Sequence, residues 1–122
     1  MGFISGGTVV ATCEEYDPAT NTWSTKAPMP TALADLAAAG VNGRVCVAGG
    51  QPKAFEVVTT VEEYDPVTNV WHDRPPMPTG RCLLAAAVVG NRVYAIGGLR
   101  PSGATNVVEE YTTATLFIHA RN

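Results

Sequence analysis

The sequence predicts an all-β protein built from repeated units of four antiparallel strands. The first observation is an internal repeat. Residues 14–23 are EEYDPATNTW and residues 62–71 are EEYDPVTNVW, a match without gaps at an offset of 48 residues. The second is that 12 glycines and 9 prolines in 122 residues mark frequent turns. The third is that no segment is predicted to be helical in both copies of the repeat. Together they favour a β-repeat architecture.

The repeat extends well beyond this ten-residue match. It continues through PMPT at residues 28–31 and 76–79, and it ends at Gly-Gly at residues 49–50 and 97–98. A third, partial copy has VEEY at residues 108–111, matching VEEY at residues 61–64. The spacing from Gly-Gly to Glu-Glu differs between the copies, so we predict a loop of variable length there.

The first two strands of each unit form a predicted hairpin. They cover residues 36–41 and 45–48 in one copy, and residues 83–89 and 93–96 in the other. Asn-Gly and Gly-Asn separate them, and both pairs suit primed hairpin turns, which need positive φ. Residues 31–39 (TALADLAAA) look helical by propensity alone. Their aligned copy contains Gly80 and runs into two valines, so we predict strand in both copies.

The third and fourth strands are joined by an Asp-Pro-x-Thr-Asn turn. The third strand is predicted near residues 57–64 and 106–111, and the fourth carries Trp23 or Trp71. In the turn, Asp caps, Pro presets φ and Asn tolerates the left-handed conformation. The Pro-Met-Pro segment cannot lie inside a strand ladder, so we expect it to connect one unit to the next.

This ordered set of motifs resembles the kelch repeat, over about 115 of the 122 residues. The resemblance implies blades of four antiparallel strands arranged radially around a channel. It divides a single domain, residues 1–122, into a partial blade at 1–30, a complete blade at 31–78 and a blade with a degenerate last strand at 79–122. The diglycines let strands approach closely. The large aromatic residues of the motifs are expected to wedge between blades: Tyr16, Trp23, Tyr64 and Trp71.

Propellers have four to eight blades, whereas this chain supplies about two and a half, so we expect an open arc or half-propeller. Residues 3–7 are expected to be a second strand and residues 116–118 a degenerate fourth strand. The apolar blade faces at the two ends need a cover. Three alternatives stand: a fragment of a longer protein, a homodimer completing about six blades, or ends that pair with another protein.

Charge and hydropathy argue against nucleic-acid binding, membrane binding and a membrane-spanning helix. The net charge is −3, and the eight basic residues form no patch in the sequence, so neither nucleic acid nor an anionic membrane is expected as a partner. No apolar run approaches the roughly 18 residues of a membrane helix. The N-terminus has no signal-peptide pattern, and a cytoplasmic location is favoured.

We expect no catalytic residues, no metal and no cofactor. His72 is expected at the surface, and His119 has no identifiable partner. Cys13, Cys46 and Cys82 occupy aliphatic positions of the repeat, and their odd number argues against a disulfide framework or a zinc site. We interpret them as small buried hydrophobic residues.

The recurring Glu-Glu pairs are interpreted as structural, because an active site is normally single. Alternation along a strand sends the two carboxylates to opposite faces. One of them is expected to form a repeated hydrogen bond or ion pair with Arg44 or Arg92.

Binding is the better prospect, because the loops differ in sequence while the framework repeats. Candidate residues in these loops are Gln51, Lys53, Phe55, Arg100 and Ser102. Arg81 is a further candidate. In some kelch proteins an arginine before the first strand faces the ligand end and pairs with acidic peptide side chains. The alternative is a structural salt bridge with a glutamate of the repeat. The matching position holds Leu33, so the resemblance implies a ligand role for one blade only.

These expectations lead to a non-enzymatic protein–protein interaction module that binds a protein or peptide partner through its interstrand loops. The alternative is part of a carbohydrate-related propeller enzyme, of the sugar mutarotase or oxidase type.

Overall fold

A computed structural model of the chain describes residues 8–113, and these residues are all β, without a helix. Accordingly, the described residues contain no helix of the length and apolarity needed to cross a membrane. They form eleven strands: β1 (Cys13–Asp17), β2 (Thr22–Lys26), β3 (Ala37–Val41), β4 (Arg44–Ala48), β5 (Val61–Asp65), β6 (Val70–Arg74), β7 (Ala85–Val89), β8 (Arg92–Ile96), β9 (Leu99–Arg100), β10 (Gly103–Ala104) and β11 (Val108–Thr112).

The strands form antiparallel sheets in the order predicted for propeller blades. One sheet has the four strands β3-β4-β5-β6, and a second has the three strands β7-β8-β11 with β8 in the middle. A third is the β1-β2 pair, and β9 and β10 form a short hairpin. The predicted strands at residues 3–7 and 116–118, and His119, lie outside the described residues. The four-stranded antiparallel blade is therefore confirmed, and the described blades form an arc that does not close.

The turns form for the reasons that the sequence suggested. In the Asp-Pro turn after β5, Asp65 Oδ1 accepts a hydrogen bond from the Val67 N–H at 2.9 Å, and Asn69 adopts a φ of 59°. The same cap and left-handed asparagine recur in the turn after β1. The β3-β4 turn has positive φ at Asn42 and Gly43, as a primed hairpin turn requires.

Two strands are shorter than predicted, and in one of them a hydrogen bond from outside the regular strand pairing accounts for the difference. The segment 31–36 is not helical, as predicted, but β3 starts only at Ala37. The third strand of the complete blade starts at Val61 rather than near residue 57. The reason is that the Val58 N–H donates to the Gly50 carbonyl at 3.1 Å, which folds residues 57–60 back onto the diglycine.

The core lies between the four-stranded and three-stranded sheets. Its buried residues come from both sheets and from the connector between them: Ala37, Val41, Cys46, Ala48, Val61, Met77, Leu84, Val93 and Ala95. Met77 belongs to the Pro-Met-Pro segment. The prediction that this segment joins one unit to the next is confirmed, and its methionine also fills the space between the sheets.

Neighbouring blades are joined by an interblade clamp formed by Tyr64, Asn69 and Trp71. Asn69 Oδ1 accepts a hydrogen bond from the Ala27 N–H at 2.9 Å, and Trp71 Nε1 donates to the Ala27 carbonyl at 2.8 Å. Tyr64 Oη donates to Asn69 Oδ1 at 2.6 Å and orients the amide. Trp23, the counterpart of Trp71 in the first blade, is 67% exposed in the described structure. The aromatic wedge is therefore confirmed between these two blades.

Candidate binding site

The loops that follow the second strands of two neighbouring blades lie at the same end of the sheets. Gln51 pairs with Ala34 in an antiparallel bridge, and Leu99 pairs with Cys82 in the same way. The two connectors that carry Ala34 and Cys82 are themselves joined, because the Leu83 N–H donates to a carbonyl of the preceding connector at 2.8 Å. Both loops are thus attached to adjacent segments. We call residues 51–56 and 99–104 the loop end.

The diglycines attach these loops to the connectors. A Cβ on Gly49 would lie 2.5 Å from the Arg81 carbonyl oxygen, and a Cβ on Gly98 would lie 2.6 Å from the Cys82 carbonyl oxygen. Both glycines also have positive φ, at +68° and +102°. Since no other residue tolerates both the contact and the conformation, the close-approach role predicted for the diglycines is confirmed.

In the first loop, Gln51 supports the loop while Lys53 and Phe55 project from it. Gln51 Nε2 donates to Asp35 Oδ2 at 2.9 Å, and its Oε1 accepts from the Phe55 N–H at 3.1 Å. Phe55 is 87% exposed and has a φ of 64°. Lys53 is exposed, and its Nζ lies 3.7 Å from Glu56 Oε2. An exposed phenylalanine therefore stands next to a loosely paired cation.

The second loop is more regular than predicted. Strands β9 and β10 form a small hairpin, with Gly103 at a φ of +127°. Arg100 and Ser102 are both exposed on this hairpin. The sequence reasoning identified the residues but predicted only a loop of variable length, because two-residue strands carry no periodic pattern.

Arg81 is not part of the exposed loop end, which corrects the expectation of a ligand role. Its side chain is fully buried. The guanidinium donates to the carbonyls of Ala95, Gly97 and Val107 at 2.6–3.0 Å, and to Glu109 Oε1 at 3.1 Å. The alternative interpretation, a structural salt bridge with a glutamate of the repeat, is confirmed. The physical reason is that backbone carbonyls and a carboxylate already use both terminal nitrogens of the guanidinium, and its Nε is buried away from any ligand.

The second glutamate of each pair forms the repeated ion pair that was predicted. Glu63 Oε1 lies 3.2 Å from Arg44 and 3.1 Å from Arg74, and Glu110 Oε2 lies 3.2 Å from Arg92. The pKa of Glu110 is lowered, first by a hydrogen bond from Tyr94 and then by Arg92. These contacts join β5 to β4 and β6 in one blade, and β11 to β8 in the next.

The first glutamates of the pairs differ between blades. Glu109 accepts hydrogen bonds from the Thr79 N–H and hydroxyl and from Arg81. Glu62 has the equivalent position one blade earlier, is 2% exposed, and has no basic side chain within 4.0 Å among the described residues. The sequence reasoning did not single out Glu62. The sequence did contain a sign of this difference: the two copies have leucine (Leu33) and arginine (Arg81) at the same repeat position, whereas the glutamate is present in both.

The cysteine thiols are held in their protonated form. Burial, and secondarily Glu63, raises the pKa of Cys46 to about 11. Burial also raises the pKa of Cys82, and Asp35 adds to it. All three cysteines are free thiols, with Cys46 and Cys82 buried and Cys13 partly buried. Arg81 donates to other groups rather than lowering the pKa of Cys82, so the buried-hydrophobe interpretation is confirmed for Cys46 and Cys82.

His72 is exposed, as predicted. Within residues 8–113, no three His, Cys, Asp or Glu side chains lie together in a way that could hold a metal ion.

Comparisons with known proteins place this geometry among known folds. A family model described as "Kelch motif" matches residues 2–30 and 80–115. The solved structures that match include one titled "Structure of YjhT", with a TM-score of 0.68 and 23% sequence identity. The alignment covers 75% of this chain and 29% of that chain, so this chain spans less than a third of the YjhT structure. The search of curated proteins finds no match.

Proposed function

The chain belongs to the kelch-repeat family, and from this premise we propose that it is a non-enzymatic module that binds a protein or peptide partner through the loop end. Fold membership alone does not specify an activity, because ligand binding depends on the particular loops that a fold carries. The proposal therefore rests on the loops and not on the family.

The observation that carries the proposal is that two loops of different sequence stand side by side on a repeating framework. Their exposed side chains combine an apolar ring, Phe55, with the cations Lys53 and Arg100 and the hydroxyl of Ser102. Aromatic side chains, phenylalanine among them, and arginine are enriched in protein–protein interfaces. A polypeptide segment with one apolar and one acidic side chain matches this surface. The ion pair of Lys53 with Glu56 is exposed, so it costs little to exchange for a partner carboxylate.

The experiment selects binders from a random peptide library on the immobilised chain and then measures them against single variants. We expect Phe55→Ala and Arg100→Ala each to weaken the selected peptides at least about tenfold, the loss of ~1.4 kcal/mol typical of an interface anchor. The matched control is Val67→Ala. Val67 is 91% exposed, but it lies in the Asp-Pro turn, at the end of the β5-β6 hairpin opposite to the loop end.

The outcomes are distinct. Binding lost in Phe55→Ala and kept in Val67→Ala supports the loop end. Selected peptides that tolerate both loop variants, or that respond only to Val67→Ala, contradict it. A parallel glycan array tests the carbohydrate-related alternative. Glycan binding without peptide binding would replace the present proposal.

A further inference from the structure

Glu62 is a buried carboxylate with an unsatisfied oxygen. Its Oε1 has no hydrogen-bond partner in the described part of the chain, and neither has the hydroxyl of Thr60. Asp73 stands directly opposite Glu62 on the neighbouring strand. Facing like charges destabilise a strand pair, and a buried charge without a partner is costly. A cation bound beside Glu62 and Asp73 would therefore be stabilised by both carboxylates.

The next blade shows which cation satisfies this position. There the equivalent carboxylate, Glu109, has a threonine hydroxyl at 2.8 Å and the Arg81 guanidinium at 3.1 Å. In the earlier blade the threonine contact is kept, because Thr31 hydrogen-bonds the Glu62 carboxylate. The guanidinium is not supplied, because Leu33 takes the place of Arg81 in the repeat.

A pocket of about 380 Å³ opens beside Glu62 and gives access from the surface. Glu62, Thr60 and Thr31 contribute oxygen atoms, Asp73 is exposed at the pocket, and Pro30 and Pro76 provide apolar walls. Arg74 also borders the pocket, but its guanidinium is bound to Glu63 at 3.1 Å. Acceptor oxygens with apolar walls match an arginine side chain, whose planar head donates several hydrogen bonds and whose stem is apolar.

We propose that this pocket binds the guanidinium group of an arginine side chain carried by a bound polypeptide. The carboxylate of Glu62 accepts the hydrogen bonds, and Asp73 supplies the second negative charge. Burial, followed by Asp73, raises the pKa of Glu62, whereas Thr31 opposes this rise. A bound guanidinium therefore lowers that pKa again. The site itself stands on this geometry, and only its use by a polypeptide rests on the proposed function.

The test titrates N-acetyl-arginine amide into the chain and follows the side-chain carboxyl carbons of glutamate by NMR. N-acetyl-citrulline amide, which has the same shape but no charge, is the matched ligand control. We expect the arginine compound to shift the Glu62 signal and lower its pKa, and the citrulline compound to bind at least about tenfold more weakly. The Glu109 signal is the internal reference and should not move, since Arg81 already occupies its carboxylate.

Three variants sharpen the result. Glu62→Gln should abolish the response, Asp73→Asn should weaken it about threefold or more, and Leu33→Arg should block it by supplying the guanidinium from within. If Leu33→Arg does not fold, the other two still decide. Equal affinity for arginine and citrulline, unchanged binding in Glu62→Gln, or no shift of Glu62 overturns the proposal. None of these results bears on the loop end, which is measured separately with Phe55→Ala and Val67→Ala.

Discussion

Replacing Arg81 with methionine should lower the free energy of unfolding by about 3 kcal/mol, because it leaves a partly buried carboxylate without its cation. Methionine keeps much of the length and volume of the arginine stem, so the loss reports the guanidinium rather than a cavity. Arg81 is fully buried, and its head donates to one carboxylate and three carbonyls. Removing one partner of a buried ion pair costs about 3–5 kcal/mol.

The structure places the loss at the lower end of that range. Glu109 keeps its two hydrogen bonds from Thr79, and the Val107 carbonyl keeps the bond from the Gly97 N–H at 2.9 Å. For a domain of this size each kcal/mol corresponds to about 3–5 °C, so the melting temperature should fall by about 9–15 °C. If the unpaired carboxylate is the main cost, adding Glu109→Gln should restore about 1 kcal/mol or more.

Urea unfolding followed by tryptophan fluorescence measures these values, since urea does not screen charges. Arg100→Met is the matched control. Arg100 is exposed on the β9-β10 hairpin, and its loss should stay within about 0.5 kcal/mol. A loss below about 1 kcal/mol in Arg81→Met would refute the reasoning. So would a double variant less stable than Arg81→Met, since it would mean that the carboxylate is not the strained group.

Three further predictions use the same unfolding assay. Trp71→Phe should cost about 1 kcal/mol more than Trp23→Phe, because only Trp71 donates its N–H to the neighbouring blade in the described structure; equal losses would contradict the clamp. Gly98→Ala should cost more than about 2 kcal/mol, since its Cβ would lie 2.6 Å from a carbonyl oxygen at a φ of +102°. Gly40→Ala, whose nearest neighbour would be at 4.0 Å, should be nearly neutral, and a large loss there would show that the assay reports general intolerance. The raised pKa of Glu62 means that the folded state holds the proton more tightly than the unfolded state, whose ordinary value is 4.5. This contribution is complete below pH 4.5 and is lost as the pH rises through the folded pKa. The difference in stability between wild type and Glu62→Gln should therefore shrink as the pH falls from 7 towards 5, and a constant difference would contradict the shift.

The order of strands was predictable because two copies of one unit can be compared within a single chain. Residues 31–39 have strong helix formers, and only the glycine and valines of the second copy pointed to a strand. The strand ends were less predictable, because they depend on tertiary hydrogen bonds such as the one from the Val58 N–H to the Gly50 carbonyl. No local pattern encodes that contact.

The candidate site was predictable in part, because exposed loops that vary on a fixed framework can be recognised from the repeat. Lys53, Phe55, Arg100 and Ser102 are exposed as a loop residue should be. The direction of the Arg81 side chain was not predictable, since it depends on three carbonyls, one in β8 and two in the segments that follow β8 and precede β11, which converge only in the folded chain. The same holds for the pocket beside Glu62, which arises from a leucine at one position and a glutamate 29 residues later.

The interblade clamp gives the arc a polarity. Asn69 and Trp71 of one blade hydrogen-bond the backbone of Ala27, which follows the last strand of the blade before it. Each blade therefore carries the clamp side chains on one surface and the backbone that a clamp contacts on a different surface. Contacts of this kind are heterologous, and a receiving face cannot pair with its own copy across a two-fold axis. Any assembly extended through the clamp must therefore run head to tail. It either closes into a ring or grows as a filament. In a closed ring every blade uses both its clamp side chains and the surface that a clamp contacts, whereas a filament leaves one of each unused at its two ends.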